Sequence, residues 1–204
     1  MHFPELVVRA PDWIGGVIRD PMRTYPTVEE RMRLVIALAR RNVEGGGGPF
    51  AAAVFDTAAQ RLVAPGVNAV LPWRCSIAHA EMVALVLAQQ RLASHDLGKS
   101  GLPVCELVTS VEPCAMCLGA IPWSGIGRLA CGAREADARA VGFDEGDKPS
   151  DWTGALRRRG IVTTRNVLRE EASAVLRDYV RNGGMIYNGT TKDPPHPAPD
   201  SPMP

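Results

Sequence analysis

His79-Ala80-Glu81 and Ser110-Val111-Glu112-Pro113-Cys114-Ala115-Met116-Cys117 are the two stretches around which this chain is organised. Together they bring one imidazole, two thiols and a carboxylate fit for proton transfer. Zinc favours imidazole nitrogen and thiolate sulfur, and a catalytic zinc keeps three protein ligands with a fourth position open. His79, Cys114 and Cys117 are the candidate ligands, and zinc is the candidate cofactor. Glu81 lies two residues from His79, so it can sit beside the metal site without ligating it. Two plainer readings compete. A Cys-x-x-Cys pair also describes a redox dithiol, which leaves His-Ala-Glu without a role. Cys75 would turn the three ligands into a closed, four-ligand structural site with no position left for chemistry.

Strands and helices alternate around these stretches. Thr27-Val28-Glu29-Glu30 reads as a capping box. Val28, Met32, Val35, Leu38 and Ala39 follow at helical spacing, so a first helix runs to about Val43 and stops at Gly45–Gly48. That glycine run is no phosphate loop, because it follows a helix and lacks the Gly-Lys-Ser/Thr ending. Phe50–Phe55 and Leu62–Val67 form a hairpin about Asp56–Gln60. Ala78–Leu92 is a second helix, with His79 and Glu81 in its first turn. Val104–Ser110, Leu129–Cys131 and Ile161–Asn166 are further strands. Cys114–Trp123, Ala133–Ala140 and Glu170–Asn182 are further helices. The alternation predicts an α/β layered fold. One domain spans 27–188, preceded by an extended lead-in (1–26) that packs through Trp13 and Ile14. A proline-rich polar tail, 189–204, is expected to be disordered.

The 204 residues carry a net charge of +1, so no global positive field is available to hold a phosphate backbone, and a nucleic-acid partner is not expected. Arg157-Arg158-Arg159 reads as a solvated helix end. No apolar run approaches the roughly 18 residues of a membrane span, and the first ten residues lack an apolar signal core. Of five cysteines, two are claimed by the metal. Cys105 and Cys131 sit in apolar segments as buried thiols, which suits a reducing, cytoplasmic location.

The spacing suits the chemistry. The i, i+3 separation of Cys114 and Cys117 puts both sulfurs on one helix face. A helix N-terminus favours thiolate over thiol, the form that binds metal. Glu81 is then placed to carry protons between water, a ring nitrogen and a departing amine.

His-x-Glu followed by Pro-Cys-x-x-Cys is the signature of the zinc nucleobase deaminases, and the chain resembles the cytidine deaminase-like superfamily. Within it, Ser110–Trp123 and Gly142-Phe143-Asp144-Glu145-Gly146 are most similar to bacterial guanine deaminases, over roughly 27–188. The resemblance implies a three-layer α/β/α sandwich with a central five-stranded mixed sheet, a homodimer, and hydrolysis of guanine to xanthine, with ammeline as a further substrate. It also implies roles. Asn68 would bond the purine, unless it only caps a turn. Trp123 would stack on or wall the base, and Phe50 would line the pocket; both could equally be core residues. Glu145, favoured over Asp144, would be a second proton carrier, and Tyr187 a residue covering the site. Guanosine or cytosine deamination and a non-catalytic zinc-stabilised domain are the alternatives. A tRNA adenosine deaminase shares the motif but calls for a basic surface.

Overall fold

The lead-in is not extended throughout. The computed structural model describes residue 5 and residues 7–189, and it places a short helix, α1 (Ile14–Ile18), ahead of the capping box. Five residues are too few to show a period, and Gly15-Gly16 argues against a helix on propensity. Ile14 is buried on the following helix, and Arg41 lies over the Trp13 ring at 5.5 Å. Tyr25 meets Phe55 edge-on at 5.5 Å, tying the lead-in to the sheet. Residues 190–204, most of the expected tail, lie outside the described residues.

Thr27 opens α2 (Val28–Glu44) as a reciprocal capping box. Its hydroxyl accepts from the Glu30 N–H at 3.2 Å, and the Glu30 carboxylate accepts from the Thr27 N–H at 3.0 Å. The chain then builds β1 (Ala51–Asp56), β2 (Arg61–Val67), α3 (Val70–Trp73), α4 (Ala80–Arg91) and β3 (Cys105–Val111). After these come α5 (Ala115–Trp123), β4 (Arg128–Ala133), α6 (Glu135–Ala140), α7 (Trp152–Arg158), β5 (Val162–Thr164) and α8 (Arg169–Arg181). The sequence reading misses α3 and α7. One is a single turn containing Pro72. The other includes Thr153 and Gly154, weak helix formers held by Asp151, whose carboxylate accepts from the Gly154 N–H at 3.0 Å. Arg157–Arg159 do close an exposed helix end.

The sheet has five strands in the order β2-β1-β3-β4-β5. β1 is antiparallel to β2 and β3, while β3, β4 and β5 run parallel. Period-two alternation divides the core into two layers. Ala51, Ala53, Phe55, Val108 and Ala130 pack with α2 and α8 on one face. Ala52, Val54, Leu107, Leu129 and Cys131 pack with α4, α5 and α7 on the other. This is the expected three-layer sandwich. The register aligns Ala51 with Val67 and Ala52 with Thr109, so the start of β1 and the ends of β2 and β3 share one edge of the sheet. In parallel α/β sheets ligands bind beyond the carboxyl ends of the strands; here that edge is the end that Phe50, Asn68 and Ser110 share.

Candidate active site

His79 and Cys114 occupy equivalent places. Each is the N-cap of its helix, α4 and α5, with extended backbone (ψ 155° and 172°), and neither side chain caps. Ser, Thr, Asp or Asn is preferred at such positions; here the side chains are free to turn towards one another. The Nδ1 of His79 lies 3.5 Å from the Cys114 sulfur. Cys117, fully buried one turn into α5, completes a set whose ligating atoms all fall within 4.8 Å of one another. Bonds of about 2.0–2.3 Å in a tetrahedron separate ligand atoms by about 3.5 Å, so the three donors fit zinc by identity and spacing. Cys75 stays outside this group among the described residues, so the closed four-ligand arrangement is not formed.

Electrostatics agree with a thiolate site. The hydrogen bond from Cys117, with His79 beside it, holds Cys114 down to about 4 against the opposing effect of burial. The same sharing, together with burial, pushes Cys117 upward. Glu81 points inward from the first turn of α4, and burial, reinforced by the Cys114 charge, pushes it up to about 6. Glu145 is also buried and is pushed up to about 8 by burial, with Cys114 and Glu81 adding to it. Sequence alone could not have distinguished this carboxylate from an exposed loop residue. The loop is folded over the start of α5: the Glu145 carbonyl accepts from the Ala115 N–H at 2.8 Å.

These groups share a cavity of ≈ 280 Å³. Glu81, Cys114 and Glu145 line its floor side, while Phe50, Asn68 and Tyr187 line its walls. Asn68 is buried, and its Oδ1 accepts from the Val70 N–H at 3.3 Å, so it caps a turn as well as facing the cavity. Phe50 and Tyr187 each meet Phe143 edge-on, at 4.8 and 5.4 Å. The buried Tyr187 hydroxyl has no hydrogen-bond partner in the structure. Asp144 lines the rim but is largely exposed, and Arg139 lies 3.7 Å from its carboxylate.

Trp123 departs from expectation. It is 84% exposed and lines no part of this cavity. Cys117 and Ile121 point α5 at the core, and two residues further at about 100° each carry the indole to the opposite side. Within one chain it neither stacks on nor walls a base in this cavity.

Asn42 escaped sequence reasoning. From the buried side of α2, its Nδ2 donates to the carbonyls of Gly48 (2.8 Å) and Asn68 (2.9 Å), fixing the glycine loop against the cavity wall. The available signal was an asparagine at helical spacing from Leu38 and Ala39. Gly48 needs its missing side chain, since a Cβ there would collide with the Tyr187 hydroxyl.

Residues 26–133 match the model of the cytidine and deoxycytidylate deaminase zinc-binding region. The chain belongs to this deaminase family. Guanine deaminase of Bacillus subtilis (strain 168) is 37% identical over 130 residues, covering 60% of this chain and 79% of that one. The solved guanine deaminase from Nitrosomonas europaea is 48% identical, with a TM-score of 0.82, over 88% of this chain and 98% of that one. A further solved structure, in complex with 2,6-diaminopurine, is 49% identical with a TM-score of 0.83, over 89% and 96%. Family membership accounts for the donor set at two helix starts. No helix among the described residues is long and apolar enough to cross a membrane.

Proposed function

We propose that this chain is a hydrolytic deaminase of a free purine base, converting guanine and water to xanthine and ammonia. The observation that carries the reading is the meeting of two buried carboxylates, Glu81 and Glu145, with a three-donor metal set in one cavity. The guanine deaminase relatives and the diaminopurine-bound structure support the purine. His79, Cys114 and Cys117 would hold one zinc, which supplies a nucleophilic water near neutral pH. Glu81 takes the water's proton and delivers it to a ring nitrogen as oxygen adds to the amine-bearing carbon. Breaking the C–N bond then needs a proton on the leaving nitrogen, and Glu145 is the group for that step. Burial suits it, because a carboxyl pushed up to about 8 holds a proton to give at neutral pH. Phe50 and Asn68 hold the ring, and Tyr187 covers it. The homodimer expectation draws support from Met116 and Trp123, exposed apolar side chains on α5, and sedimentation of the purified protein tests it.

Ammonia release from guanine, guanosine, cytosine, adenine and ammeline by zinc-loaded protein tests the reading. Turnover of guanine well above the others is expected. Preference for guanosine or cytosine would keep the deaminase and replace the substrate. No release from any of them would leave a non-catalytic zinc domain.

A further inference from the structure

The loop carrying Glu145 bends at Gly142 and Gly146, with φ of 103° and 68°, values that glycine adopts without strain. Such a loop takes whatever path its attachments set. Three attachments are visible. The Glu145 carbonyl accepts from Ala115 at the start of α5. Arg139 Nη2 donates to the Gly146 carbonyl at 2.6 Å, beside a turn in which the Asp144 carboxylate accepts from the Gly146 N–H at 2.9 Å. The third comes from the segment after α8. Asn188 Nδ2 donates to the Gly142 carbonyl at 2.9 Å, and Asn188 Oδ1 accepts from the Asp144 N–H at 2.9 Å. One amide side chain thus engages backbone on both sides of Phe143, whose ring is already locked edge-on against Phe50 and Tyr187.

We propose that Asn188 is a positioning residue, docking the segment that covers the cavity onto the Glu145 loop so that the two are placed together. The kinetic consequence rests on the reading of Glu145 as the second proton carrier. Without Asn188, the Gly142 carbonyl and Asp144 N–H turn to water, and the loop loses one of its three holds. Fewer molecules then present Glu145 in line with the amine. Phe50 and Asn68, which hold the ring, are attached elsewhere, so the loss falls on kcat rather than on KM.

The test is a double-mutant cycle on zinc-loaded protein with guanine, using Asn188→Ala, Glu145→Gln and both together. Asn188→Ala is expected to lower kcat about 10-fold, within the range that small misplacements of a reacting group cost, with KM changed less than about threefold. In the Glu145→Gln background the same change should alter kcat less than about twofold. Equal factors in both backgrounds overturn the coupling. A wild-type rate for Glu145→Gln overturns instead the proton-carrier reading beneath it. Hydrogen exchange of residues 142–147 decides the placement independently of turnover. It should accelerate about 10-fold in Asn188→Ala while β3 and α4 stay protected; unchanged exchange in the loop overturns the proposal.

Discussion

Gly66 is where the sheet and the chemistry meet most closely. It sits in β2, paired with Ala52, directly under α4. A Cβ at Gly66 would collide with the Ala80 carbonyl oxygen and the Ala84 nitrogen, and would lie 2.8 Å from the Ala84 Cα, against an ordinary contact of 3.4 Å or more. All three atoms are backbone of the helix that begins at His79 and carries Glu81, so no side chain can swing aside. In Gly66→Ala the helix must therefore rise by at least the difference, 0.6 Å. Overpacking of this kind costs about 1–3 kcal/mol. At 2–4 °C per kcal/mol for a chain of this length, Tm should fall by about 2–12 °C. The displaced Glu81 should lower kcat for guanine by about 10-fold or more. Gly127→Ala is the control, since its Cβ meets nothing within 4 Å, and its Tm should stay within about 2 °C of wild type. Thermal melts, zinc content and steady-state loss of guanine absorbance read the outcome. An unchanged Tm for Gly66→Ala would refute the close helix–strand contact. A lowered Tm with full kcat would refute the link from that contact to the site.

Glu81→Gln keeps the buried shape and removes the proton carrier, so zinc content and Tm should hold while kcat falls by about 10²-fold or more. Glu145→Gln should lower kcat by about 10²-fold with a smaller effect on KM, whereas Asp144→Asn, at the exposed rim, should be mild; the reverse order would move the role to Asp144. Cys75→Ser should keep one zinc per chain and full turnover, and loss of both would restore the closed-site reading. Asp137 accepts from both Arg169 nitrogens (2.9 and 2.7 Å), from the Ser173 hydroxyl (3.0 Å) and from the Arg134 N–H (2.8 Å). The Arg169 contacts, foremost, hold its carboxyl well below the ordinary range. A depressed carboxyl stabilises fully above its unfolded value near 4, and that contribution is lost as pH falls from there through the native value. Asp137→Ala should thus cost about 2 kcal/mol at pH 7 and progressively less below pH 4, measured by urea unfolding.

Local chemistry made much of the molecule legible before folding. The capping box at Thr27 placed α2 within a residue. The alternation of apolar runs marked the five strands, with boundaries displaced by one to three residues. Short elements escaped, because α1 and α3 have too few residues to show a period and α7 includes weak helix formers. Trp123 shows the opposite failure. A tryptophan closing an apolar helix looks like a wall for a ring, but its side chain leaves the helix away from the core, and only helix rotation decides that.

Side-chain type and spacing along the chain determined the ligands and Glu81. Metal chemistry is short-ranged, and two helix starts suffice to declare it. The remaining site residues depend on distances that no local pattern encodes. Glu145 becomes more than a loop carboxylate because two glycines and the Ala115 N–H bury it beside Cys114. Asn42 and Asn188 act through backbone carbonyls far along the chain, and any of several residue types could have stood there without breaking a sequence pattern. Tyr187 reaches the cavity because α8 returns the chain over Phe143 and because Gly48 leaves room. Burial, and with it the proton affinity of each carboxyl, is set by the packing of the whole domain and therefore emerges only with the tertiary structure.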